Sequence, residues 1–300
     1  RLLTQSRGLG DVYKRQQLGR RDEAKSVLIA GIRKNPDFPG LYGRMADWYW
    51  RSGHLAQALQ LQKAAVQLDS TSIRVREREC ALYLDLGDDK EAEECLNSLQ
   101  EEYPHRVLFG FASLSYFRSQ FEGMLNYLDQ YVQQLPYPGG RETQALNYIL
   151  VGKYKEARSI LEPLKPELFD ASDISTTQSN WGVIVYAGII LSNAGERSRA
   201  DYLFDRVLES IRSSEVSGIY VPGSLKVFIE VGRGNKEKAI EDLRDAADLG
   251  WRMQWWTLRA PLFESMREDP RWVAIMGELE ADAARQRAWF DEHENDELFE

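Results

Sequence analysis

One short motif returns along this chain at a fixed interval, and that interval limits what the chain can fold into. Gly19 is followed five residues later by Ala24. The same pair recurs as Gly53 with Ala58 and as Gly87 with Ala92, each step being 34 residues. Pro36, Ser70 and Pro104 close the three segments at the same step. A unit of this length is a helix–turn–helix pair that buries its apolar face only by stacking on its neighbours. The chain is therefore expected to be a helical array.

The first unit, Leu18–Pro36, is half a repeat, with Gly19 at the turn and Ala24, Leu28 and Gly31 on one helix face. The second places Tyr42, Met45, Ala46 and Tyr49 on its first helix, turns at Gly53 and continues through Ala58 and Ala65. The third carries Cys80, Tyr83, Gly87, Ala92, Leu96, Leu99 and Pro104. The register then loosens. The fourth unit has Met124 at the Ala position and ends at Pro136, and Tyr137–Gly140 reads as a turn between units. The fifth restores Gly152 and Ala157, and the polar stretch Pro166–Ser179 reads as a longer connection. The sixth has Ala187, Gly188, Gly195, Ala200, Phe204 and Val207. The seventh follows a loop at Ser217–Gly223 and has Gly234, Ala239, Leu243 and Ala246. The glycines of Gly232–Asn235 belong to that repeat turn and lack the pattern of a phosphate-binding loop.

These positions resemble the tetratricopeptide repeat family. Small residues stand where paired helices approach, and large ones where successive hairpins meet. The family's first-helix Trp appears as Tyr42, and its Gly as Ala46 or Cys80. The resemblance implies an all-α, right-handed superhelix over residues 17–250, with about seven units, the first incomplete. Residues 251–289 contain Trp251, Trp255, Trp256, Trp272 and Trp289 without a repeat period, and read as a Trp-rich C-terminal helical cap. Residues 290–300 form an acidic tail, expected to be frayed. Residues 226–289 also resemble the end of tetratricopeptide arrays in multidomain bacterial regulators, where the array follows a winged-helix, nucleotide cyclase or kinase domain.

The family's first helices line a concave surface. Inward positions by register are Arg106, Phe109, Ser113 and Tyr116 in unit four, Val185, Ile189 and Asn193 in unit six, and Ser224 and Phe228 in unit seven. The expected partner is a protein or peptide held there by aromatic anchors. Some relatives clamp a peptide carboxylate with Lys and Asn. The corresponding positions are Gly43, Asp47, Arg74 and Glu77, so that clamp is absent.

The opening segment fits no repeat. Asp11–Gln16 is the translation of GATGTGTATAAGAGACAG, which resembles a sequencing-adapter end. Residues 1–16 are therefore expected to be a library artefact, and the chain a C-terminal fragment of a larger protein. The net charge is −9, and residues 1–16 are themselves net basic. This balance disfavours nucleic-acid contact by the array, which would need clustered Lys and Arg. Cys80 and Cys95 fall on the two helices of one unit and read as packing residues rather than a disulfide or metal pair. His54, His105 and His293 have no ligand spacing. The apolar run Val183–Leu191 is too short to span a bilayer and reads as a buried helix. Pairs such as Glu93–Glu94 and Glu101–Glu102 read as solvated faces. No catalytic motif, cofactor site or metal site is expected, and the cytoplasm is favoured. The function expected is a scaffold or sensor arm. The alternative is the regulatory segment of a cyclase, a kinase or a winged-helix regulator.

Overall fold

The computed structural model of the chain describes residues 21–135, 138–213, 222–294 and 296. Gly19 and the adapter-like segment lie outside them, as do Pro136, Tyr137 and most of the loop expected at Ser217–Gly223. The described residues form helices and no strand. α1 (Arg21–Lys34) precedes a series of hairpins: α2 (Pro39–Arg51) with α3 (Leu55–Leu68), α4 (Ile73–Asp85) with α5 (Asp89–Gln100), and α6 (Leu108–Phe117) with α7 (Phe121–Gln134). There follow α8 (Pro138–Leu150) with α9 (Tyr154–Leu164), a short α10 (Glu167–Asp170), α11 (Trp181–Asn193) with α12 (Arg197–Ser213), and α13 (Pro222–Arg233) with α14 (Lys236–Asp248). Each second helix packs on its own first helix. The first helices stack on one another, α4 on α6, α8 on α11 and α11 on α13.

One backbone device makes every turn. After α2, Gly53 sits at φ +80°, its N–H donates to the Trp50 carbonyl, and the His54 N–H donates to the Tyr49 carbonyl. This crossed pair satisfies carbonyls that a helix end leaves open, and it requires a left-handed residue, for which glycine carries no Cβ penalty. The same pair of bonds recurs at Gly87, Gly152, Gly195, Gly234 and Gly250. The 34-residue period is thus a period of identical helix caps.

The fourth unit makes this turn without glycine. Ser119 adopts φ 59°, and the Gln120 N–H donates to the Ser115 carbonyl at 2.8 Å. A left-handed serine costs roughly 1–2 kcal/mol, partly offset in a comparison with glycine by glycine's greater chain entropy. Ser119→Gly should therefore stabilise the protein by about 0.5–1 kcal/mol, read as a higher urea midpoint with an unchanged slope. An unchanged or lower midpoint would contradict the cap assignment.

Five residues after each turn stands a residue of the second helix that has almost no exposure: Ala58, Ala92, Met124, Ala157, Ala200 and Ala239. Seven residues before each turn, Ala46, Cys80, Ala112, Ala145 and Val227 are equally buried, and a Cβ added at Gly188 would run into the ring of Phe204. These are the close-approach positions of each hairpin. As expected, Val183–Leu191 is a buried stretch of α11.

The structure departs from two sequence expectations. Gly139 and Gly140 are not a turn: they lie in the first turn of α8, which begins at Pro138, a residue suited to the first helical position. Cys80 and Cys95 are joined as a disulfide, with Cα atoms 5.4 Å apart. Both sulfurs lie on the facing sides of α4 and α5, because Cys80 occupies the close-approach position. A bridge closing a loop of this sequence separation, 15 residues, stabilises by about 3 kcal/mol in the chain-entropy account. Reduction should lower the unfolding free energy by about that amount, and an equal denaturation curve with and without reductant would exclude the bridge.

The C-terminal region does more than cover the last hairpin. After Gly250 the chain runs through two 3₁₀ turns, Trp255–Arg259 and Pro261–Met266, and then α15 (Pro270–His293). The first 3₁₀ turn packs on α6, and α15 packs on both α14 and α3. The array's end thereby returns to its second unit. Gln286 shows how: its side-chain oxygen accepts from the Leu55 N–H at 2.6 Å, and its nitrogen donates to the Gly53 carbonyl at 2.9 Å. It caps the N-terminus of α3, which has no cap from its own residue His54. Nearby, Lys63 pairs with Glu294 at 3.2 Å and Arg287 with Asp88 at 3.3 Å. The helix continues past the expected boundary at Trp289 because Phe290 is buried, at 2% exposure.

Candidate functional site: a groove floored by the C-terminal segment

Asp85, the last residue of α4, ties the second and third units to the C-terminal segment. It is 1% exposed. Its Oδ2 accepts from the Trp50 indole N–H at 2.6 Å, and its Oδ1 from the Gln254 backbone N–H at 3.0 Å and the Trp256 indole at 2.8 Å. Its backbone carbonyl accepts from the Trp255 indole at 2.9 Å. Burial pushes the Asp85 carboxyl up to about 7, against the opposing pull of those N–H donors. Tyr116 is fixed in the same region, its hydroxyl donating to the Thr257 carbonyl at 2.6 Å. Burial pushes its phenol up. Arg259 lies over the rings of Phe117 and Trp255.

The first helices form the walls above this floor. A cavity of about 370 Å³ is lined by Arg74, Arg78, Leu84, Arg106, Phe109 and Trp256, among others. A second, about 80 Å³, continues past Phe109, Ser113 and Leu146. A third, about 260 Å³, reaches Leu150, Ser224 and Phe228. Gln254 lines all three, so they form one trough running over the C-terminal segment. Its chemistry is apolar and aromatic with a cationic end. There Arg106 pairs with Glu77 at 2.7 Å and Arg78 with Asp47 at 3.3 Å, while Arg74 is exposed and makes no ion pair among the described residues.

The register-derived residues divide. Arg106, Phe109, Ser113, Ser224 and Phe228 line the trough, and Phe109 is 38% exposed. Tyr116 touches the middle cavity only from a buried position. Val185 and Ile189, at 0% and 3% exposure, are core residues rather than groove residues, because α11 turns Gly182 and Tyr186, and not these two, toward the third cavity. Asn193 is exposed but lines none of the three cavities. Sequence reasoning missed Asp85, Gln254 and Trp256. A buried-type position carrying an acid just before a repeat turn was the available signal for Asp85.

Among the described residues no cluster of three or more His, Cys, Asp or Glu could hold a metal ion. No helix among them is long and apolar enough to cross a membrane.

Residues 49–108 match the family model of the tetratricopeptide repeat. A comparison with curated proteins finds no match. Among solved structures, the chain is similar to a tetratricopeptide repeat protein from Parabacteroides merdae, at 18% identity and TM-score 0.48, over 93% of this chain and 98% of that one. It is similar to the MamA protein at 16% identity and TM-score 0.36, over 58% and 92%. It is also similar to yeast Tom70 at 14% identity and TM-score 0.44, over 91% of this chain and 58% of that chain. The family match thus covers the second and third units, and the same glycine-capped turn recurs beyond them at Gly152, Gly195 and Gly234.

Proposed function

We propose that the chain is a protein-interaction scaffold that holds a partner's peptide in the trough between its first helices and its own C-terminal segment. The observation that carries this is the joining of the three cavities over Gln254, with the exposed ring of Phe109 on the wall. A rigid aromatic beside an apolar cavity is the usual anchor of such a site. The trough does no chemistry on its occupant; it selects by shape, apolar contact and charge. The reading of the chain as the sensor or scaffold arm of a larger bacterial regulator is supported by the sequence resemblance over residues 226–289.

Peptides selected from a displayed random library against the full chain provide the test. Phe109→Ala should weaken the selected peptides by about tenfold, and Ser113→Arg, which fills the trough, should weaken them at least as much. Retained affinity in both variants, with the fold intact by circular dichroism, would place the binding surface elsewhere.

A further inference from the structure

Gln254 stands in a left-handed conformation, φ 52° and ψ 32°, without the backbone freedom of glycine. Strain of this kind persists only where the surroundings impose it. Here they do. The backbone N–H of Gln254 is held by Asp85, its carbonyl accepts from the Thr257 hydroxyl at 2.7 Å and from the Thr257 N–H at 2.9 Å, and the Trp255 and Trp256 indoles on its C-terminal side both bond to Asp85. The side chain is exposed, lines all three cavities and makes no hydrogen bond among the described residues. A strained residue thus carries a free carboxamide to the one point where the trough's segments meet.

A carboxamide offers a donor and an acceptor together. An extended peptide presents the complementary pair at each residue, one N–H and one C=O. The walls on either side, Phe109, Leu146 and Phe228 with Trp256 beneath, suit apolar side chains. The exposed guanidinium of Arg74 lines the first cavity of an otherwise acidic chain. That end is complementary to an acidic side chain.

We propose that Gln254 reads the backbone of an extended peptide, which sets an apolar side chain over Trp256 and an acidic side chain at Arg74. This rests on the trough being the peptide site, as proposed above.

The experiment uses the library-selected peptides and the full chain. Gln254→Gly relieves the left-handed strain, so it should raise the melting temperature while weakening binding by about tenfold. These opposite signs separate a reader from a merely structural residue. A scan of singly N-methylated peptides should find one position where methylation weakens binding to the wild-type chain and has no effect on Gln254→Gly. Arg74→Ala should weaken acidic peptides and flatten their salt dependence. If Gln254→Gly binds as the wild-type chain does while Phe109→Ala does not, the assignment of Gln254 falls and the trough stands. If neither variant changes affinity, the trough itself is not the site. Selected peptides without acidic residues, bound equally by Arg74→Ala, would overturn the charge assignment.

Discussion

Asp85→Ala is expected to destabilise the protein by about 3–5 kcal/mol and to release residues 251–266 from the concave face. The reason is the number of donors that converge there. Removing the carboxylate leaves the Trp256 indole buried, and the Trp50 indole and the Gln254 N–H partly buried, without that acceptor. Each such loss costs roughly 1–3 kcal/mol. Desolvation works the other way, since the charged acid is itself costly to bury, and this sets a pH dependence. The folded-state value of Asp85 lies near 7, above the ordinary carboxylate value. A raised value means the contribution of Asp85 is fully present below about pH 4 and is lost as pH rises toward 7. The penalty of Asp85→Ala should therefore be larger at pH 5 than at pH 8. Urea unfolding followed by Trp fluorescence measures both, because Trp255 and Trp256 move from buried to wet. A penalty below about 1 kcal/mol at both pH values would refute the role given to Asp85.

Gly53→Ala and Gly87→Ala, the same change at equivalent turns, should differ sharply. Both glycines have the same left-handed backbone, at φ +80° and +81°. Alanine there costs roughly 1–2 kcal/mol from conformation alone. At Gly87 a Cβ would meet nothing within 4 Å, so about that cost is the whole effect. At Gly53 it would strike the carbonyl oxygen of Gly250. The obstacle is backbone, not a side chain that can swing away, so one end of the array must shift. Overpacking of this kind adds about 1–3 kcal/mol. Gly53→Ala should cost about 3 kcal/mol or more, and the excess over Gly87→Ala should vanish in a chain cut before Gly250, which lacks the obstructing carbonyl. Equal costs in the full chain would mean that the C-terminal segment does not reach the second unit.

The two predictions mark the line between what was legible in the sequence and what was not. The glycine and alanine positions were readable because each reports a local demand, a left-handed cap or a close helix approach, repeated at one interval. That interval placed Gly53, Gly87, Gly195 and their partner alanines correctly. Phe109, Ser113, Ser224 and Phe228, read from the same interval, line the cavities. It failed for Val185 and Ile189, because α11 is apolar around its whole circumference and the period does not say which side stays open. It failed for the cysteines because packing and bonding both use the same facing positions. Tyr137–Gly140 was read from its glycines, but the following proline-led helix absorbs them. Asp85 alone carries a signal in the sequence, as an acid at a buried-type position before a turn; its partners carry none. Its donors come from residues 35, 169 and 171 positions away, and the longer separations join a periodic part of the chain to an aperiodic one.

The C-terminal helix returns to the second unit and closes the array on itself. Lys63 and Glu294 test this closure most directly, since they form an ion pair at 3.2 Å across a sequence separation of 231. A zero-length carbodiimide cross-linker, followed by mass spectrometry of the monomeric species, should recover an amide bond between Lys63 and Glu294. Lys63→Arg should remove it. Absence of that bond while Lys238 still links to Glu241, an ion pair at the same distance of 3.2 Å, would contradict the closure and leave an open array.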